Sequence, residues 1–185
     1  EAIIAASKGL VVIDEAYMAF TDSNFLPYLK LYPNVLVMRT LSKVGLAGMR
    51  LGFLVGNEAW IEQINKIRLP YNINVLTQQS VVFALEHYDL LLRQSAVIRE
   101  QRTRLAEKLK SFDKLEVFPS EANFVLVRLK TGNASIVFDQ LKSRGILIKC
   151  QDGSHPLLDN CLRITVGDEN QNDLLVQMLE AVLQD

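Results

Sequence analysis

Cysteine is scarce in this chain: Cys150 and Cys161 are the only two in 185 residues. Neither belongs to a C-x-x-C pair, which argues against a disulfide framework or a redox motif. Histidine is equally rare, with His87 and His155 alone, so no zinc-ligand spacing is present and no metal site is expected. Idle thiols in a reducing cytosol are the simplest expectation. No apolar run approaches the roughly 20 residues needed to span a bilayer. Neither sign of charge is in excess: 20 basic and 21 acidic residues leave a formal net charge of −1. That balance gives no electrostatic reason to expect nucleic acid or an anionic membrane as partner. The opening Glu1–Gly9 stretch has no basic head and no small-residue cleavage site of the signal-peptide kind.

What is present is the composition of an ordinary soluble globular protein, 49% hydrophobic and 22% charged. It is long enough for one good core or two small ones. The chain starts on Glu and reaches an apolar strand within ten residues, an abrupt beginning that leads us to expect a fragment of a longer protein. Three short apolar runs, residues 9–14, 34–39 and 51–56, read as strands buried on both faces. Asn57 is placed to cap a helix whose apolar positions are Trp60, Ile61, Ile64 and Ile67. Strands joined by longer segments indicate an α/β sheet with crossovers.

Pro70 interrupts this pattern. From Val75 to Phe112 the spacing predicts one long or kinked helix, with Leu91, Leu92, Val97, Ile98, Leu105 and Leu109 as its apolar stripe. Arg93, Arg99, Arg102 and Arg104 fall outside the stripe. Glu100 and Glu107 interrupt them, so a solvated face is expected rather than a nucleic-acid surface. Beyond it, residues 115–118, 123–129, 146–149 and 161–166 read as strands, and 135–144 and 170–183 as helices. Asp168 with Gln171 three residues on forms a capping box before the last helix. The alternation suggests a small α+β domain.

Two segments could carry chemistry. The apolar strand ending Asp14-Glu15-Ala16-Tyr17 has three readings. Asp14 could serve a magnesium ion as in a nucleotide triphosphatase, hold the pyridine nitrogen of a cofactor, or cap the next turn. The segment from Arg39 to Gly52 is more informative. It offers hydroxyls at Thr40 and Ser42, one lysine at Lys43, close glycines, and Arg50 seven residues after the lysine. Small residues let backbone approach a ligand, and hydroxyls with a guanidinium suit a phosphate dianion. A lysine among such groups can condense with an aldehyde. The glycines follow the lysine, so the segment is not a Walker A loop.

The combination D-E-A-Y, then T-L-S-K-x-G-L-A-G-x-R-L-G, resembles the lysine segment of fold-type I, class II aminotransferases. The likeness continues through Arg68–Gln78. It reaches His155–Gly167, a stretch similar to histidinol-phosphate aminotransferases in particular. The resemblance implies an α/β fold: the remainder of a large cofactor domain with a mostly parallel sheet and crossover helices over 1–75, then a small α+β domain over 76–185 that begins with the long helix. It implies pyridoxal 5'-phosphate as cofactor, with Lys43 as its covalent carrier and the acid/base catalyst. Asp14 would hold the pyridine nitrogen and Tyr17 the phenolic oxygen, while Thr40, Ser42 and Arg50 would bind the phosphate. Arg163 matches the family's substrate-carboxylate arginine. Lys149 stands where some members carry a second anion-binding arginine. Tyr71 and Asn72 either line the site or order a turn.

The implied reaction is transamination between L-histidinol phosphate and 2-oxoglutarate, in histidine biosynthesis, by a cytoplasmic homodimer. Its partners would be a small amino donor and a 2-oxo acid. A threonine-phosphate decarboxylase and another class II aminotransferase are the alternatives. Family members are about twice as long. The missing upstream part would supply a phosphate loop, a ring-stacking aromatic, an asparagine and a dimer contact, so this chain alone is expected to be inactive.

Overall fold

A computed structural model describes residues 1–184. The chain divides into two compact units, Glu1–Ser95 and Ala96–Asp185.

The first unit opens with a short helix, α1 (Ala2–Ala6), and a three-stranded sheet of β1 (Val11–Asp14), β2 (Val35–Thr40) and β3 (Gly52–Gly56) in the order β1-β2-β3. β1 runs parallel to β2, and β3 antiparallel to it. Chain length explains the mixture. The eleven-residue link from Leu41 to Leu51 returns directly to the sheet, whereas a parallel return needs a crossover of a dozen or more residues. The crossover between β1 and β2 carries only 3-10 turns, Met18–Phe20 and Leu26–Lys30. Of the three strands expected to be buried on both faces, only β2 is, through Val35, Leu36 and Val37; β1 and β3 flank it as edges with exposed residues.

Asn57 caps α2 (Glu58–Ile67) as expected, its side chain accepting from Ala59 N–H at 3.0 Å. The long helix expected from Val75 is two helices, α3 (Val75–Glu86) and α4 (Tyr88–Lys110). They part at His87, whose backbone leaves helical geometry and whose Nδ1 lies 3.0 Å from the Phe83 carbonyl oxygen. Val81 of α3 is buried with Leu41 and Val44. That packing places α3 in the first unit, and the chain passes from the first unit to the second within α4.

The second unit holds the larger core. Its sheet has β4 (Leu115–Val117), β5 (Phe124–Leu129), β6 (Lys149–Cys150) and β7 (Cys161–Thr165) in the order β4-β5-β7-β6, all neighbours antiparallel. Helices α5 (Ala134–Ser143) and α6 (Glu169–Gln184) complete it. Leu105, Leu109, Val125, Val127, Leu141, Leu162, Ile164 and Leu179 form the centre of the core. The capping box closes reciprocally: Gln171 N–H donates to Asp168 Oδ1 at 2.8 Å, and Asp168 N–H to Gln171 Oε1 at 3.1 Å. The strand expected over 146–149 is confined to Lys149–Cys150, because only those residues pair with β7. Two of the arginines expected to be solvated are engaged. Arg102 donates to the Ala122 carbonyl at 2.9 Å, and Arg104 pairs with Glu169 and Asp173 of α6.

Among the described residues no helix is long and apolar enough to cross a membrane, and no group of three or more His, Cys, Asp or Glu could hold a metal.

Candidate functional site

In the first unit, the candidate residues gather at the C-terminal ends of two parallel strands, the end at which α/β sheets bind ligands. Asp14 closes β1 opposite Met38 of β2. It is exposed, and its Oδ1 accepts from Ala16 N–H at 2.9 Å, which bends the chain away from the sheet. Tyr17 follows at the start of a 3-10 turn. The Lys43 ammonium sits over the Tyr17 ring, 5.2 Å from its centroid, close enough for a cation–π attraction. Two candidates separated by 25 intervening residues are thus brought together.

Thr40 ends β2 opposite Gly52. Its Oγ1 lies 3.0 Å from Ser42 Oγ and accepts from Ser42 N–H at 3.0 Å. The two hydroxyls therefore face one small region, anchored through the Leu51 carbonyl at 3.2 Å. A Cβ on Gly52 would stand 2.9 Å from the Arg39 carbonyl oxygen, so only glycine lets the strands close here. Lys43 lies in a 3-10 turn that ends at Gly45 with φ +98°. Its neighbours Leu41 and Val44 are buried against Val81, which fixes the loop while Lys43 stays part-exposed. Arg50 holds a left-handed conformation, φ 51° and ψ 33°. An arginine there costs about 1 kcal/mol, a strain typical of functional loops.

Glu15 and Arg39 are not among the residues that the sequence motifs single out. Glu15 is buried; its Oε2 accepts from Arg39 Nε at 2.8 Å, and its Oε1 from Phe25 N–H at 2.6 Å. The signal available was an acid and an arginine, each placed beside a candidate residue at a strand end. Tyr71 is fully exposed with φ 56°, and Asn72 accepts from Arg68 at 3.4 Å, so both belong to the turn between α2 and α3.

In the second unit, Arg163 of β7 stands opposite Lys149 of β6 and Leu126 of β5. Its guanidinium lies 5.2 Å from the Phe124 ring centroid, and its Nε is buried without a hydrogen-bond partner. A buried donor left unmade costs about 1–3 kcal/mol. Like charges placed opposite each other across strands add to that cost. Two cationic side chains thus stand side by side across β6 and β7.

A histidinol-phosphate aminotransferase from Chromobacterium violaceum is 50% identical over 179 residues, which cover 97% of this chain and 50% of the relative. The chain spans about half the length of the curated relatives it matches. The crystal structure of the histidinol-phosphate aminotransferase from Clostridium acetobutylicum superposes with a TM-score of 0.89 at 25% identity, over 99% of this chain and 57% of that one. That of the Sinorhizobium meliloti enzyme, in complex with pyridoxal-5'-phosphate, gives 0.79 at 31% identity, over 95% and 49%. The profile of the family "Aminotransferase class I and II" matches residues 1–179, and the chain belongs to that family.

Proposed function

We propose that this sequence forms the C-terminal half of a pyridoxal 5'-phosphate aminotransferase acting on L-histidinol phosphate and 2-oxoglutarate in histidine biosynthesis. The proposal concerns the longer protein, a cytoplasmic homodimer, and this half alone is inactive. The observation that supports it most is the Lys43 amine held over the Tyr17 ring, in the loop that also presents the Thr40 and Ser42 hydroxyls.

The residues fit the cofactor chemically. Asp14 has one hydrogen-bond donor, Ala16 N–H, and is otherwise open to a cationic ring nitrogen. Lys43 supplies the amine, Tyr17 a phenol for the ring's oxygen, and Thr40, Ser42 and Arg50 donors for a phosphate dianion. When bound, the cofactor supplies an electron sink that acidifies the substrate's α-carbon. The chain's own residues then divide the remaining work. Asp14 keeps the ring nitrogen protonated by holding a negative charge beside it. Lys43 would supply on Nζ the base that takes the substrate's α-proton. Arg163 would offer its guanidinium to a substrate anion, and Lys149 would add charge without the bidentate geometry of a guanidinium.

The test is a cofactor titration followed by visible absorption, borohydride trapping and peptide mapping, on this chain and on the longer protein. Labelling at Lys43 that is abolished in Lys43→Ala supports the assignment; no label in the longer protein overturns it. Oxo-acid formation from L-histidinol phosphate identifies the aminotransferase. Carbon dioxide release from a phosphorylated amino acid would instead identify a threonine-phosphate decarboxylase.

A further inference from the structure

We infer that Glu15 and Arg39 are a positioning pair that sets the spacing between the Asp14 and Thr40 ends of the two parallel strands, and with it the affinity for the cofactor. The inference rests on the proposed cofactor site and names residues outside its contact set.

Each member stands one residue from a candidate contact: Glu15 follows Asp14, and Arg39 precedes Thr40. The backbone already joins the two strand ends, since Glu15 N–H donates to the carbonyl of Met38, the residue before Arg39, at 2.8 Å. That is the last rung before the strands diverge. Beyond it the side chains take over. Arg39 presents Nε at 2.8 Å and Nη2 at 2.7 Å to the same Glu15 oxygen, with both side chains nearly buried at 13% and 7% exposure. The other Glu15 oxygen accepts from Phe25 N–H at 2.6 Å, and Arg39 Nη2 also donates to Asn24 Oδ1 at 2.9 Å. Four points are clamped: the β1 end, the β2 end, and two residues of the connection between them.

The pairing also sorts the charges. Two carboxylates lie in sequence at the end of β1, and one guanidinium is near. Arg39 is committed to the buried Glu15, and among the described residues the exposed Asp14 accepts only from the Ala16 N–H. A carboxylate so left is available to a cationic ligand, while its neighbour is neutralised within the protein. Removing one member of a buried pair strands the other charge. The strand ends then respond where the contacts to the phosphate and the ring nitrogen begin.

The experiment uses the longer protein and pyridoxal 5'-phosphate as probe, reading its dissociation constant by absorption, and thermal unfolding of the cofactor-free protein in parallel. Glu15→Gln and Arg39→Gln are each expected to weaken binding by about tenfold or more, the order of one charge-assisted hydrogen bond. Arg39→Lys, which keeps a cation for Glu15, should restore most of that loss. Asn24→Ala removes the outer bond to Arg39 together with the exposed Leu26 N–H bond to the same oxygen, leaves the Glu15–Arg39 pair in place, and should cost about threefold, a milder variant should the others fail to fold. Val35→Ala, at the opposite end of β2 and fully buried, supplies the control: it should lower the melting temperature and leave the dissociation constant unchanged. Equal weakening by Val35→Ala at matched melting loss, no rescue by Arg39→Lys, or unchanged binding in Glu15→Gln overturns the inference while the cofactor reading stands. Absence of binding in the unaltered protein overturns both.

Discussion

Asn160 offers a quantitative test of how β7, the strand carrying Arg163, is held. It stands just before that strand with φ 59°. Its Oδ1 accepts from Ala134 N–H, at the start of α5, at 2.7 Å. Its Nδ2 donates to the Leu129 carbonyl at 2.8 Å and to the Gly132 carbonyl at 3.2 Å. Asn160→Ala removes all three bonds and puts alanine in a left-handed conformation. The Gly132 bond is exposed and water replaces it at little cost. The other two are part-buried and contribute about 1 kcal/mol each. The left-handed backbone costs alanine about 1 kcal/mol more than asparagine. The sum is about 3 kcal/mol, measured as the shift in the urea midpoint of the second unit, with the slope unchanged. Asn160→Asp keeps the acceptor and tolerates the backbone, but turns an oxygen toward two carbonyls. Its deficit should shrink as the pH falls and the carboxyl gains a proton to donate. A loss under about 1 kcal/mol for Asn160→Ala, or a pH-independent deficit for Asn160→Asp, would falsify this reasoning.

Three further outcomes follow from the second unit. The Lys108 ammonium, 2.6 Å away, holds the Asp173 carboxyl below its ordinary range, with Arg104 assisting. A lowered folded value means the stabilisation is present above the unfolded carboxylate pKa and is lost as the pH falls through the folded one. The stability gap between the protein and Asp173→Asn should therefore be full at neutral pH and vanish in acid, as followed by pH-dependent thermal melts. Asp168→Ala breaks the capping box and should cost about 1 kcal/mol in urea denaturation. Leu179→Ala, at a fully buried position between α6 and the sheet, should cost about 2–5 kcal/mol in the same assay.

The features that sequence revealed well are those written in local chemistry. The Asn57 cap, the Asp168–Gln171 box and the three strands of the first unit need only neighbouring residues, and each falls within a residue or two of its expected place. The Thr40–Arg50 segment was legible for the same reason, since its hydroxyls, lysine and glycines occupy one short loop. What escaped was set by partners distant in sequence. Glu15 meets Arg39 only once two strands lie side by side. Arg104 finds Glu169 and Asp173 only after α6 returns to α4. The break at His87 depends on α3 packing with Leu41 and Val44, which the apolar periodicity of α3 and α4 does not encode. The strand at 146–149 shortened because pairing with β7, not apolarity, decides where a strand begins.

The strand order of the second sheet has a kinetic consequence. β5 and β7 form its central pair, joining Phe124 to Thr165 and Arg128 to Cys161 across a connection that contains all of α5 and β6. Closing so long a loop is an entropic cost met before any rung of the pair rewards it. β4 and β5, joined by a short turn, can zip early. Arg163 therefore acquires its neighbours on both sides only when the non-local closure is complete. Mutations that loosen that closure should slow the pairing of β5 with β7 during refolding before they alter the equilibrium structure of the second unit.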